Sequence, residues 1–314
     1  MDLNEIINII LIVCCIPGIF FALPSTVYTA MFLGIFHRQK PFLLDENNLE
    51  GTGYYPYRNE LKENICAAKQ MDCDSITIQS NDHLKLTGRY YNQNASTTVL
   101  LVHGYQSNAF NNFSSLLKYY LSLKCNVLMV DQRAHGSSDG RFTTAGQKEQ
   151  YDLINWISWI DSNTDSVNIF LHGMSMGATT IGLSSDKISN PKVKGLIMEA
   201  GFTSFYEELV WCTGKLFMKK ALLNYLELCA KHLLKVDIRQ KTTESLSKTS
   251  IPVLFLHGDS DVDVAISNTE ENFQACASEK SLLIVEGAGH TLCHLIGKEK
   301  VESAISEFIN KYQV

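Results

Sequence analysis

The stretch Gly173-Met174-Ser175-Met176-Gly177 limits what this chain can fold into more tightly than any other. It follows a short apolar run, Val167 to His172, that reads as a buried strand, and it precedes Ala178 to Leu183, which reads as the start of a helix. A strand that turns straight into a helix around a serine needs a very sharp turn. Residues two before and two after the serine then lie against one another, so both must be glycine. The serine is left in a strained backbone conformation with its hydroxyl projecting from the sheet edge. Ser175 is therefore the candidate nucleophile.

A serine hydroxyl is a weak nucleophile at neutral pH and needs a base, which in turn needs an orienting carboxylate. Two further strand-like runs supply candidates at their carboxyl ends, where open α/β sheets gather their sites. Ile251 to Leu256 leads into His257-Gly258-Asp259-Ser260-Asp261-Val262-Asp263-Val264, and Ser281 to Val285 leads into Glu286-Gly287-Ala288-Gly289-His290. Asp259, Asp261 and Asp263 compete for the acid. Asp in such turns more often holds the loop through its own backbone bonds. For the base, His290 directly follows the small-residue turn, whereas His294 falls four residues on, inside an expected helix and in a structural role.

The negative oxygen of a tetrahedral intermediate also needs donors. The residue after the serine, Met176, offers one backbone N–H. The strand Val99 to Val102 runs into His103-Gly104, and the next residue, Tyr105, offers a second. His103 has a blander reading as a buried, hydrogen-bonded histidine.

Taken together these segments make the chain resemble an α/β-hydrolase, close to the serine aminopeptidase, monoacylglycerol lipase and feruloyl esterase branch. The resemblance is carried by Val102-His103-Gly104-Tyr105, Asp131-Gln132-Arg133-Ala134-His135-Gly136-Ser137-Ser138-Asp139-Gly140, the serine pentapeptide, His257 to Asp261, and Gly289-His290. The family signature H-G-x-x-D-x-x-V, with Val264 in its last place, singles out Asp261 as the acid. Ala134 departs from the glycine usual in D-x-R-G-x-G-x-S. That segment shapes a loop in such proteins, so Asp131 and Arg133 are assigned no chemistry. The resemblance implies a mostly parallel central sheet flanked by helices, with a helical cap insertion; an N-terminal hydrophobic helix is read from the sequence itself.

The coarse pattern agrees with an α/β fold. Expected strands are Ser75–Gln79, Leu84–Tyr91, Thr97–Val102, Asn126–Asp131, Val167–His172, Val193–Glu199, Ile251–Leu256 and Ser281–Val285. The first two form an antiparallel hairpin around Asn81-Asp82. The others are parallel and joined by helices such as Ala145–Ile160. About 50 residues separate the sixth and seventh strands, far more than a crossover needs. Residues 203–246 are read as the cap, with Phe205, Tyr206, Trp211, Phe217 and Met218 as an apolar wall for an acyl or aromatic group. The alternative is long helices packed on the sheet.

Hydrophobic content of 45% and charged content of 19% describe a globular chain, and a net charge of −6 argues against nucleic acid as a partner. No cofactor is implied: phosphate-loop, H-E-x-x-H and C-x-x-C patterns are all missing.

From Ile6 to Phe36 the chain carries no charge, which exceeds one bilayer crossing. Residues 1–40 are read as a membrane anchor, a single span kinked at Pro17 and Pro24 or a re-entrant segment, with residues 41–74 as a juxtamembrane connector to a hydrolase domain at 75–314. Asp2 and Glu5 argue against a cleaved signal peptide. His37, Arg38 and Lys40 after the apolar stretch place the domain on the cytoplasmic side. Nine scattered cysteines agree, reading as free thiols in a reducing compartment. Two sequons, at Asn94 and Asn112, are matches too short to weigh.

The expected activity is hydrolysis of carboxylic esters, acylglycerols among them because an anchor brings the site to lipid. The alternatives are a peptidase on short peptides and a membrane-tethered scaffold that keeps the fold without turnover. Nothing in the sequence fixes an oligomeric state.

Overall fold

Two runs, Thr97–Val102 and Asn126–Asp131, are buried at every position. Strands covered on both faces belong at the middle of a parallel sheet with helices above and below, and that is where they lie. In the computed structural model, which describes residues 26–39, 53–214 and 219–314, eight strands form one sheet. They are β1 (Asp74–Gln79), β2 (Lys85–Tyr91), β3 (Thr97–Val102), β4 (Asn126–Asp131), β5 (Asn168–Met174), β6 (Val193–Glu199), β7 (Val253–Gly258) and β8 (Lys280–Val285), in the order β1-β2-β4-β3-β5-β6-β7-β8. β2 runs antiparallel to β1 and β4, and every later pairing is parallel. The carboxyl ends of β3, β5, β6, β7 and β8 therefore share one edge.

Alternate residues of a strand face opposite sides, and two cores result. Val99, Leu101, Val127, Met129 and Phe170 meet one layer of helices, with Phe113 and Tyr120 from α3 (Ala109–Ser122) and Ile305 and Phe308 from α11 (Lys298–Tyr312). Leu100, Val102, Leu128, Val130, Ile169 and Leu171 meet the other, with Trp156 and Ile160 from α4 (Glu149–Asn163) and Ile181 from α5 (Met176–Ser184). Each such aliphatic side chain stabilises the fold by about 1.5–3 kcal/mol.

Several boundaries shift from expectation by one to a few residues, and two of the shifts have clear local reasons. α4 starts at Glu149 rather than Ala145, because Ala145 (φ 51°) and Gly146 (φ 94°) take left-handed conformations that stop a helix. The Glu149 carboxylate folds back to accept the N–H groups of Thr144 and Gly146 and the Thr144 hydroxyl. β5 runs to Met174, two residues past its expected end, because the strand continues into the turn itself. Ala134 has φ 60°, the conformation that favours glycine, and its N–H is held by the carbonyl of Asp139.

Between β6 and β7 lie α6 (Phe205–Thr213), α7 (Lys219–Cys229), a π-helical turn at Ala230–Leu234, and α8 (Thr242–Leu246). Ser204 caps α6 by accepting the Glu207 N–H. Phe217 and Met218 fall outside the described residues. The expected apolar segment is thus two principal helices and a short third. α9 (Ile266–Ala275) and the single turn α10 (Cys293–Ile296) complete the set on the carboxyl-terminal side.

The membrane anchor, and with it the cytoplasmic placement, is corrected. No helix among the described residues is long and apolar enough to cross a membrane. The last part of the charge-free stretch, residues 26–36, forms α1, about 16 Å long against the ~30 Å of a hydrocarbon core. It lies on the protein. Phe32 and Phe36 are buried in one apolar cluster with Phe205, Leu222 and Leu226 from α6 and α7, and Thr29 bonds Tyr225 at 2.6 Å. The Arg38 guanidinium donates to the carbonyls of Gly136 and Ser138. Residues 1–25 lie outside the described residues. α2 (Arg58–Gln70), in the stretch read as a connector, buries Leu61, Ile65 and Ala68, and Ala68 accepts a hydrogen bond from Tyr91.

Candidate active site

The turn from β5 into α5 fixes Ser175 at φ 53° and ψ −120°. Both glycines of the pentapeptide are required by space. A Cβ on Gly173 would stand 2.4 Å from the Gly177 carbonyl, and one on Gly177 would stand 1.9 Å from the Val102 oxygen. The Ser175 N–H is tied to the Glu199 carbonyl at the end of β6.

His290 and Asp261 arrive on the loops after β8 and β7. His290 Nε2 is 2.9 Å from Ser175 Oγ, and His290 Nδ1 is 2.7 Å from Asp261 Oδ2. A carboxylate only accepts, so Nδ1 carries the proton and Nε2 is left to accept the serine O–H. Asp261 is fixed from its other oxygen by the N–H groups of Asp263 and Val264. Burial pushes its carboxyl pKa up, but hydrogen bonds from His257 and His290 outweigh this and hold it well below the ordinary range. Burial likewise disfavours the charged form of His290, and the Asp261 carboxylate, with Asp263 and Glu208 behind it, reverses that and raises its pKa.

The competing residues sort themselves by geometry. Asp259 accepts the Gly287 N–H and the Ser260 hydroxyl, a loop-holding arrangement. Asp263 differs from the expected loop-holder, since its carboxylate lies within 4.8 Å of the Asp261 and His290 donor atoms. Those three groups have the residue types of a metal site, but Asp261 and His290 are already engaged with each other and with Ser175. His294 sits in α10, bonded to Glu302 at 3.0 Å. His103 is fully buried, donating to the Gly104 carbonyl and accepting the Gln132 N–H. Arg133 is consumed by Asp152 and Asp82, and Asp131 braces its own loop through Ser137.

Gly104 backs directly onto the serine, where a Cβ would meet Ser175 Cβ at 3.2 Å. Its N–H is held by Asn112, which leaves Tyr105 as the next N–H along the loop. Met176 begins α5, so its N–H is one of the unsatisfied donors of a helix start. Tyr105 is held by its side chain, which donates to the Ile35 carbonyl of α1 at 2.5 Å.

Several neighbours were not read from sequence. His257 is a second imidazole on Asp261: its Nε2 lies 3.1 Å from the Val264 carbonyl and 3.3 Å from Asp261 Oδ2, and its Nδ1 is 2.7 Å from the Thr269 hydroxyl. The i,i+4 spacing of His257 and Asp261 was visible; the direction of the imidazole was not. Beneath the serine, buried Glu199 lies 3.8 Å from His172 Nε2, and Tyr120 bonds His172 Nδ1 at 2.7 Å. Glu208 on α6 takes the Cys212 thiol on one oxygen and keeps the other buried without a partner among the described residues. Burial pushes its carboxyl pKa up to about 7, with the negative charges of Asp261 and Asp263 adding to the effect.

The matches to known proteins agree with the fold. Residues 93–233 match the family model described as serine aminopeptidase, S33, and residues 215–314 match that described as TAP-like protein. The Bacillus subtilis (strain 168) protein YqkD is 28% identical over 222 residues, which cover 68% of this chain and 71% of that one. Human alpha/beta hydrolase domain-containing protein 17B is 25% identical over 224 residues, 68% of each chain. Among solved structures, the Pyrococcus furiosus esterase Pf2001 superposes with a TM-score of 0.67 at 21% identity, covering 79% of this chain and 94% of that one. Fold and matches together place the chain in the α/β-hydrolase superfamily.

Proposed function

We propose that this protein is a serine hydrolase of carboxylic esters, with Ser175 as nucleophile, His290 as general base and Asp261 as its orienting acid. The backbone N–H groups of Tyr105 and Met176 form the oxyanion hole. The observation that carries the reading is the hydrogen-bonded run from Ser175 Oγ through His290 to Asp261, at 2.9 and 2.7 Å, on a serine held at φ 53°.

In this reading Ser175 Oγ bonds to the ester carbon as its proton passes to His290 Nε2. The carbonyl electron pair moves onto oxygen and is held by the two N–H groups. Collapse breaks the bond to the leaving alcohol, which takes the proton from His290. Water then repeats the sequence on the acyl-enzyme, and Ser175 is regenerated. Asp261 stays ionised throughout and stabilises the imidazolium.

Residues 203–246 are read as a cap over this site within a hydrolase domain. Supporting this, Phe205 and Leu209 of α6 share one apolar cluster with Met176, which adjoins Ser175, and with Val264, whose N–H bonds Asp261. That wall favours an acyl or aromatic group. The argument for acylglycerols rested on an anchor and falls with it. The test is a p-nitrophenyl ester series from short to long acyl chains. Wild type should show an optimum and Ser175→Ala no turnover; equal rates in the two proteins would overturn the reading.

Peptide hydrolysis is the second reading, favoured by one observation: a buried Glu208 oxygen with no partner among the described residues, which is suited to an amino terminus. Aminoacyl p-nitroanilides discriminate. If they outpace every ester and Glu208→Gln abolishes the difference, the peptidase reading replaces the first.

A further inference from the structure

The chain just before α2 reaches across to the loop that carries His290. The Tyr54 hydroxyl lies 2.8 Å from the His290 carbonyl and 2.5 Å from the Thr291 hydroxyl. A carbonyl only accepts, so Tyr54 donates to His290 and accepts from Thr291. Burial raises the Tyr54 pKa far above its ordinary value, so the hydroxyl remains a donor at every working pH.

The bonded loop is under strain. Thr291 has φ 53°, and a β-branched residue in the left-handed region costs roughly 1–3 kcal/mol unless its surroundings enforce it. The strap is itself braced. Tyr54 accepts the Tyr57 N–H, Pro56 sits in the 3-10 turn that follows, and the Arg58 guanidinium lies 4.2 Å over the Tyr55 ring and donates to the Tyr55 carbonyl. Gly53 backs onto Leu292, where a Cβ would come within 3.1 Å. The turn runs directly into α2, whose buried face anchors it.

We propose that Tyr54 is a positioning residue for His290, its hydroxyl holding the strained Thr291 turn so that the imidazole spans Ser175 and Asp261. The inference rests on the serine-hydrolase reading for its kinetic consequence, but not for its structural one. Residues expected to serve as a connector would then be part of the catalytic apparatus.

Tyr54→Phe removes the hydroxyl and keeps the ring. kcat should fall about tenfold, in keeping with the cost of a small misplacement. KM should stay within about twofold, because Tyr54 holds the base and touches no substrate. The downfield proton resonance of His290 Nδ1–H, which needs no substrate, should shift or broaden. Adding Thr291→Gly relieves the left-handed strain and should restore much of the lost kcat. Loss of thermal stability with unchanged kcat and resonance would mean a merely structural role and overturn the proposal. So would a double variant no better than Tyr54→Phe. If wild type turns over nothing while the resonance still responds to Tyr54→Phe, the hydrolase reading fails and the positioning claim stands. Should Tyr54→Phe fail to fold, Thr291→Val decides instead, because it removes the hydroxyl bonded to Tyr54 and keeps the β-branched side chain: lowered kcat with a shifted resonance supports the proposal, and wild-type kcat and resonance overturn it.

Discussion

Among single residues, His290 carries the most testable charge balance. The carboxylates of Asp261, Asp263 and Glu208 face it, and together they hold its pKa above the ordinary value of about 6.5 despite burial. The base must be neutral to act, so kcat/KM should rise with pH through a midpoint above about 6.5. Asp263→Asn removes one of those charges without touching the serine, and should move that acidic limb to lower pH while turnover persists. A limb that does not move would show that Asp263 is screened from the imidazole. For stability the signs are opposite. The raised His290 favours the fold below its unfolded pKa, and that contribution is lost as pH rises through the folded value. The depressed Asp261 favours the fold above about pH 3.9, and that contribution is lost as pH falls toward the folded value. Ser175→Ala and His290→Ala should each lower kcat by on the order of 10⁴-fold or more. His294→Ala should keep most activity, because His294 pairs with Glu302, away from the serine.

Among elements, the turn between β5 and α5 was legible because steric demand writes itself in residue type: two glycines and a serine admit few other geometries. Gly177→Ala should cost about 3 kcal/mol or more by chemical denaturation, given a backbone oxygen 1.9 Å from the new Cβ. Gly34→Ala is the contrast. It lies in α1 with nothing among the described residues within 4 Å of the added methyl, and should stabilise that helix by up to about 1 kcal/mol. The strands were legible for a related reason. β3, β4 and β6 fall on their expected residues, since each carries an apolar run covered on both faces, Val99 to Val102, Val127 to Val130 and Leu196 to Met198. The start of α4 was not legible, because the Glu149 carboxylate that ends the preceding turn bonds residues three to six positions back. The Tyr54 bond was hidden more deeply. It joins residues 236 positions apart, and no local pattern marks either partner.

For the whole molecule, the apolar N-terminal stretch shows how composition misleads. Lack of charge says only that a segment avoids water; a bilayer and a protein surface satisfy that equally. Residues 26–36 meet the second condition, with Phe36 fully buried against Phe205 at a ring separation of 5.5 Å. Phe36→Ala should therefore cost about 3–5 kcal/mol of global stability. An unchanged denaturation midpoint would mean that α1 does not belong to the cooperative unit. The same helix accepts the Tyr105 hydroxyl, so this end of the chain touches the loop after β3 on one side while Tyr54 touches the His290 loop on the other.

The account turns on whether Ser175 is a reacting nucleophile. The most direct measurement is labelling by a fluorophosphonate probe of folded wild type and Ser175→Ala, with the modified residue located by mass spectrometry. The account expects labelling of wild type alone, on Ser175. Well-folded wild type that takes no label, or a label that persists in Ser175→Ala, would contradict it and leave a hydrolase fold without its chemistry.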